Sequence, residues 1–158
     1  MKRLKTLTVS FATLSLAACG QSAPKTAAVA APVGVFTSAQ DCAASEKLDL
    51  KDCTILIQQV VAAHQQTAKS YISMRLCEEA EGADKCERAD PKTFRRSLLA
   101  FQVTFSKPPV AIPLYAAKDK GVLGFTTLDK AKTLLAVDEL IIFSQDAKTV
   151  AQAHFEPS

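Results

Sequence analysis

The cysteines and histidines have the widest range of chemistry in this chain. The sequence contains 5 Cys and 2 His, and the histidines, His64 and His154, are far apart along the chain. Two distant histidines do not match the short ligand spacing of a zinc motif. The sequence also has no Cys-x-x-Cys, Gly-x-Ser-x-Gly or His-Glu-x-x-His pattern. It therefore predicts no catalytic residue, no metal site and no cofactor.

The N-terminal residues have the features of a bacterial export signal. A basic segment, Lys2 to Lys5, precedes a short apolar core, Leu7 to Leu16, which several Ser and Thr residues make too polar and too short to span a bilayer. The core ends in Leu16-Ala17-Ala18-Cys19, which resembles the lipobox that signal peptidase II cleaves. An Ala-x-Ala-like secretory site is the alternative, but the cysteine favours lipidation.

This leader predicts where the protein lies and which residues fold. Residues 1–18 are the predicted signal peptide, and Cys19 is the predicted acylated residue, carrying chains such as palmitate. The resemblance to Gram-negative lipoproteins implies that Gly20, which is not Asp, favours sorting to the outer membrane, on its periplasmic face. The small, Pro-punctuated residues up to 34 predict a flexible tether from 19 to 34, followed by one globular domain over 35–158.

The charge balance argues against a nucleic-acid partner. The chain has 19 Lys and Arg against 16 Asp and Glu, and the excess of three equals the basic residues of the leader, Lys2, Arg3 and Lys5. The mature chain is therefore formally neutral and lacks the basic surface that nucleic-acid binding needs.

The four cysteines after Cys19 predict two disulfides, since exported chains fold in an oxidising compartment. They are Cys42, Cys53, Cys77 and Cys86. Three of them follow residues typical of helix N-caps, Ser38, Asp49 and Ser73, so each would lie one turn into a helix. Local pairing of Cys42 with Cys53 and Cys77 with Cys86 is favoured, whereas Cys42 with Cys86 and Cys53 with Cys77 would suit a helix hairpin.

The residue patterns of the two halves predict an α+β fold. A helical period runs from Thr54 to Lys69, with His64 near its apolar stripe, where a hydrogen-bonded structural role is favoured over a ligand role. The acidic residues from Glu78 to Glu87 lack the calcium-loop pattern and predict a solvated helix face and turn. A disulfide-linked helical N-terminal half is thus followed by a small mixed strand and helix C-terminal half.

The C-terminal half alternates predicted helices and strands. Asp90-Pro91 predicts a helix start, and Leu128–Val137 and Gln145–His154 predict further helices. The predicted strands are Leu99–Phe105, Ala111–Tyr115, Val122–Phe125 with a bulge at Gly124, and Leu140–Phe143.

These residues together resemble a known family. Asp41-Cys42, Cys53, the His64 to Tyr71 stretch, Cys77-Glu78 and Cys86 look like the cysteine framework of the YgiB-like lipoproteins. The resemblance covers roughly residues 36–88, and Pro113-Leu114-Tyr115 looks like a further short element. The family's domain is one of unknown function, so the resemblance implies a lipoprotein and no catalytic residue.

Two functions remain as hypotheses. The first is a non-enzymatic envelope module, held to the membrane by its lipid, that binds an envelope protein or a surface polymer. The second is an envelope hydrolase with an unrecognised site. Because no nucleophile motif is present and the cysteines are assigned to disulfides, the sequence favours the first.

Overall fold

The computed structural model describes residues 30–117, 119, 121–130 and 132–155. The helices among these residues are α1 (Ala39–Ala43), α2 (Leu50–Thr67), α3 (Met74–Glu81) and α4 (Gln145–Ala153). The strands are β1 (Val33–Phe36), β2 (Cys86–Asp90), β3 (Thr93–Arg96), β4 (Ala100–Thr104), β5 (Val110–Ala116), β6 (Gly124–Thr126), β7 (Thr133–Leu135) and β8 (Ile141–Phe143). The predicted α+β class is confirmed.

The centre of the fold is a six-stranded sheet in the order β7-β6-β5-β4-β1-β8, and β2 with β3 forms a separate hairpin. All neighbours in the large sheet are antiparallel except β1 and β8, which run parallel. Alternate residues of a strand face opposite sides. In β4, Phe101 packs with α1 and α2, whereas Ala100 packs with α4. The sheet therefore lies between helices on both faces.

The alternating sequence of β4 suggests a strand that is buried on one face only. Because helices cover both faces of the sheet, β4 is instead buried on both faces. Phe101 and Val103 contact the α2 side and Ala100 the α4 side. On the α4 side, Phe125 of β6 stacks on Phe143 of β8 with ring centroids 6.2 Å apart. These strands are four places apart in the sheet, so the sheet curls around this half of the core.

Helix starts follow the predicted capping residues. The side chains of Ser38, Asp49 and Ser73 each accept a hydrogen bond from a backbone N–H in the first turn of α1, α2 and α3. These bonds satisfy donors that a helix N-terminus leaves unpaired. The predicted α2 helix is thus confirmed, with bounds shifted toward its cap, and α4 confirms the predicted C-terminal helix.

The disulfides are the local pairs. Cys42 and Cys53 join α1 to α2 across a sequence separation of 11. Cys77 and Cys86 join α3 to β2 across a separation of 9. Each bridge thus holds a short helix against the element that follows it, and the nested pairing is excluded in this structure.

The helix predicted to start at Asp90-Pro91 is wrong, because these residues form the turn between β2 and β3. The Asp90 carboxylate accepts hydrogen bonds from the backbone N–H groups of Lys92 at 2.8 Å and Thr93 at 3.0 Å. Asp followed by Pro is as compatible with a β-turn as with a helix start. Cross-strand pairing of Cys86 with Arg96 decides in favour of the hairpin.

The helix predicted over Leu128–Val137 is also wrong, because the chain turns and returns as β7. In β7 the buried Leu134 lies between the exposed Thr133 and Leu135, which is a strand period. Gly124 does not form a bulge but pairs directly with Leu135. A Cβ atom at Gly124 would lie 2.1 Å from the Leu134 carbonyl oxygen, so this close approach of two backbones requires glycine.

The first strand begins slightly before the predicted start of the globular domain. Strand β1 starts at Val33, within the segment that the sequence assigned to the tether. The predicted signal peptide and Cys19 lie outside the described residues. Within the described ranges, none of the helices is both long and apolar enough to cross a membrane.

Candidate functional site

A buried polar network lies where α2 crosses β5. Helix α2 presents Cys53, Leu56, Val60 and His64 on its buried stripe, at steps of three and four residues that share one helix face. The last of these, His64, is only 2% exposed. The helix thus carries one ionisable side chain into an otherwise apolar interface.

Both ring nitrogens of His64 have partners. Nδ1 lies 3.0 Å from the Tyr115 hydroxyl and Nε2 lies 3.3 Å from a carboxylate oxygen of Glu87. Since an ionised carboxylate only accepts hydrogen bonds, neutral His64 carries its proton on Nε2 and accepts at Nδ1 from the Tyr115 hydroxyl. Glu87 also accepts from Nε of Arg95 at 2.9 Å. The four side chains form a continuous hydrogen-bonded chain.

A second group lies beside this chain and centres on Glu81. The Tyr71 hydroxyl donates to its carboxylate at 2.7 Å. Arg96 Nε lies 3.8 Å and Lys130 Nζ 3.6 Å from the other carboxylate oxygen. Because Glu81 and Glu87 both take part in these networks, the prediction of a solvated acidic face is wrong for these two residues.

Arg96 connects the two groups and is 2% exposed. Its guanidinium lies 4.8 Å from the centroid of the Tyr115 ring and donates through Nη2 to the Ala116 carbonyl at 2.6 Å. Its Nε and Nη1 atoms have no hydrogen-bond partner among the described residues. The carboxylate of Glu81 and the face of the Tyr115 ring therefore supply most of the compensation for this buried charge.

Burial shifts the pKa values of three side chains in these two groups, His64, Tyr115 and Tyr71. Burial lowers the pKa of His64 below its ordinary 6.5, as does the charge of Arg95, whereas Glu87 acts in the opposite direction. Burial raises the pKa of Tyr115 to about 12. Burial and the Glu81 carboxylate raise the pKa of Tyr71 to about 12. At neutral pH His64 is an uncharged, inaccessible base with both nitrogens occupied, which is the structural role that its sequence position favours.

The other predicted or considered site residues are not brought into this network. His154 forms the C-terminal cap of α4, on the opposite face of the sheet from α2. The described residues contain no group of three or more His, Cys, Asp or Glu that could hold a metal ion. The four cysteines of the domain form its two disulfides.

A groove of about 640 Å³ lies beside β5. Helix α2, strand β5 and the turn after β6 form its walls, and the accessible lining is mainly apolar. Its lining residues are Ala63, Thr67, Ile112, Pro113, Thr127, Leu128, Asp129 and Lys132. His64 and Tyr115 do not line the groove. His64 directly follows the lining residue Ala63, and Tyr115 lies two positions after the lining residue Pro113.

The groove follows a free stretch of strand edge. In the described part of the chain, β6 pairs with β5 only at Tyr115 and Ala116. Continuing that register would place Thr127 beside Leu114 and Leu128 beside Pro113, but the chain turns away after Thr126. The earlier residues of β5 therefore pair with β4 on one side and border the groove on the other.

This arrangement defines a small α+β domain with a polar network centred on the buried His64 and an open apolar groove. Residues 30–115 match the family described as proteins of unknown function, DUF1190. The chain belongs to this family, which is that of the YgiB-like proteins. No curated protein and no solved structure is similar enough to the chain to be matched with it.

The family match extends further than the resemblance read from the cysteine framework. It begins before β1 and ends at Tyr115, so it includes both disulfides and the His64–Tyr115 hydrogen bond. Sequence reasoning missed the two partners of His64, since Glu87 and Tyr115 have no regular spacing from it. The Pro113-Leu114-Tyr115 element was the one signal that pointed to Tyr115.

Proposed function

We propose that this protein is a lipoprotein anchored through Cys19 to the periplasmic face of the outer membrane. We further propose that its folded domain is a non-enzymatic module that binds another envelope protein. The support for the anchor is the charged and apolar leader that ends in Leu16-Ala17-Ala18-Cys19. Acyl chains on Cys19 would hold the domain at the membrane without a spanning helix.

The burial of His64 supports a non-enzymatic role. A general base must reach the proton that it abstracts, but His64 is 2% exposed and hydrogen-bonded at both nitrogens. Glu87, its carboxylate partner, is already paired with Arg95 at 2.9 Å. A network of this kind fixes the orientation of α2 on the sheet more readily than it acts on a substrate.

The groove beside the free edge of β5 is the observation that carries the binding proposal. An extended polypeptide can pair its backbone with an unpaired strand and place side chains in an adjoining apolar groove. The groove lies where β6 would have continued, between Thr67 of α2 and Leu128 of the following turn. We therefore propose an extended, apolar segment of a protein as the ligand, in preference to a surface polymer.

The anchor is tested by changing Cys19. The Cys19→Ala protein should lose its label from a fatty-acid precursor and leave the membrane fraction. A matched variant, Gly20→Asp, should keep the label and lose outer-membrane sorting. Retention of label and of outer-membrane fractionation by Cys19→Ala would contradict the lipoprotein assignment.

The groove is tested by crosslinking inside cells. A photoreactive amino acid at Thr67 or Leu128 should capture one protein at one mapped extended segment, while the same group at the exposed Ile72 should not. The substitution Ile112→Lys should abolish the capture and reproduce the envelope phenotype of a deletion strain. Ile72→Lys is the matched control.

The opposite pattern would favour the envelope hydrolase. In that case His64→Gln would reproduce the deletion phenotype with the melting temperature unchanged, and Ile112→Lys would behave as the wild type. Crosslinks scattered over many unrelated segments would also contradict a specific groove.

A further inference from the structure

We infer that one end of the large sheet rests on the lipid surface, with Val110 and Leu140 in contact with it. This inference rests on the proposed anchor at Cys19. We call this surface the proximal end and define it by Pro32, Lys107, Pro108, Val110 and Leu140. Its partner is the bilayer itself, at the headgroup and acyl boundary.

The strand registers place these residues at one end of the sheet. Val110 pairs with Thr104, Thr104 with Val33, and Val33 with Ile141. This row crosses four adjacent strands, a width of about 14 Å at the usual strand spacing. Because β1 and β8 are parallel, Pro32 and Leu140 both leave the sheet at this end.

The connection between β4 and β5 extends the same surface. It contains Lys107 and Pro108, which are exposed, and leads into Val110, which is 53% exposed. The backbone N–H of Phe105 donates to the Pro32 carbonyl at 2.9 Å. This bond holds the connection beside the point where the N-terminal segment reaches the sheet.

Leu140 is the most exposed large apolar side chain among those described, at 88%. Its position is set by a turn, since the Asp138 carboxylate accepts its backbone N–H at 2.9 Å and the Asp138 carbonyl accepts that of Ile141 at 3.2 Å. The turn thus holds the leucine outward. An apolar side chain held outward next to an anchored segment is suited to interfacial insertion.

The length of the N-terminal segment supports a lipid partner over a second copy. The chain from Cys19 to Ala30 spans at most about 40 Å even when fully extended. An anchored domain therefore meets the membrane at a high effective concentration, and a contact too weak for free association becomes populated. The proximal end is the part of the sheet that this segment joins.

The charges at the proximal end predict which lipids this surface can contact. The acidic residues Asp138 and Glu139 precede Leu140, and Lys107 lies in the other connection. Because charges of both signs are present, the proximal end has no preference for strongly anionic lipids. We therefore expect contact with uncharged bilayers, with little dependence on salt, because apolar insertion rather than charge drives it.

The test uses the full lipidated protein in phosphatidylcholine vesicles that contain a phospholipid with a photoreactive group in its acyl chain. After irradiation, the lipid adducts should map to the peptides that contain Val110 and Leu140. They should be several-fold weaker on the peptide that contains Ile72, which is 80% exposed but follows Tyr71 near the opposite end of β5.

The variant Val110→Glu/Leu140→Glu should lose most of this labelling while staying bound to the vesicles and keeping its melting temperature. Ile72→Glu should change neither. If that variant disturbs the fold, Leu140→Ser provides the milder test, with reduced labelling at its own peptide expected.

The outcomes separate the two proposals. If the wild-type protein does not stay on the vesicles, the anchor at Cys19 is wrong. If it stays but the adducts are absent, are equal at Ile72, or are replaced by crosslinks between two copies, the lipid contact at the proximal end is wrong.

Discussion

His64 shows how a single residue acquires a role that its neighbours in sequence do not indicate. Its imidazole accepts from Tyr115 and donates to Glu87, although both partners are distant along the chain. An unpaired buried polar group costs about 1–3 kcal/mol, so this network is stabilising mainly because all its central members are satisfied. The network thereby favours one orientation of α2 on the sheet.

The lowered pKa of His64 predicts a pH dependence of stability. Because burial lowers its pKa in the folded state, the unfolded chain binds more protons between that value and 6.5. The free energy of unfolding should therefore rise with pH in this window and level off above 6.5. On acidification through the window, this contribution of His64 is lost. The expected loss is about 1.4 kcal/mol for each unit by which folding lowers the pKa.

The measurement is the free energy of unfolding in urea from about pH 5 to pH 7.5. His64→Gln keeps one donor and one acceptor, and should give a shallower slope than the wild type. His154→Gln removes the other imidazole and is the matched control. Equal slopes for the wild type and His64→Gln would contradict the neutral, buried histidine.

At the scale of elements, two short disulfide loops hold the helices to their neighbours. Helix α1 has only five residues, too few to be stable alone, since isolated helices need about 12 to 15. The Cys42–Cys53 bridge fixes it to α2, and the Ser144 hydroxyl of the α4 cap donates to its Asp41 carboxylate at 2.6 Å. Tertiary restraints therefore replace helix length.

Removing either disulfide should lower the free energy of unfolding by about 3 kcal/mol, because each closes a loop of similar length in the unfolded chain. The separations are 11 and 9 residues. The variants are Cys42→Ala/Cys53→Ala and Cys77→Ala/Cys86→Ala, measured by urea unfolding. Reduction of the wild-type protein provides the control without a packing change.

Non-reducing peptide mapping of the protein checks the pairing on which this prediction depends. It should recover Cys42 with Cys53 and Cys77 with Cys86. Free thiols at these positions, or a bridge between Cys42 and Cys86, would be incompatible with the structure.

Some helices and strands could be predicted from the sequence, and others could not. Helices α2 and α4 and strands β4, β5 and β8 follow from their hydrophobic period and caps. The two wrong helices both lie at turns, where Asp90-Pro91 and Leu128–Val137 are compatible with more than one local structure. Pairing with β3 and β6 decided them, and such pairing depends on residues outside the local window.

For the whole molecule, the family match and the folding unit have different extents. The match ends at Tyr115, but the residues beyond it complete the sheet and one half of the core. Phe125, Leu134, Phe143 and Ala147 pack against Val35, Ala100 and Leu114. The matched segment alone would leave that face of the central strands uncovered.

A fragment of residues 30–116 should therefore fail to fold, whereas residues 30–158 should unfold in one cooperative transition. The loss of half the core exceeds the 5–15 kcal/mol that a domain of this kind has available. Circular dichroism during thermal unfolding checks both proteins under oxidising conditions. A cooperative transition of the fragment at the temperature of the longer chain would contradict a shared core.

The sequence by itself determined the features that depend on neighbouring residues. These are the helix caps at Ser38, Asp49 and Ser73, the strand period of β4, and the even number of cysteines in the domain. Each depends on side-chain chemistry within a few positions, so it can be read without knowing the fold.

Only the tertiary structure decided the disulfide pairing, the partners of His64, the groove beside β5 and the surface at the proximal end. Each joins residues that the chain brings together from distant positions, such as Val110, Val33 and Ile141 in one row across the sheet. The register of a sheet depends on which strands pair and where each one ends. That information belongs to the whole packed chain and to no single segment of it.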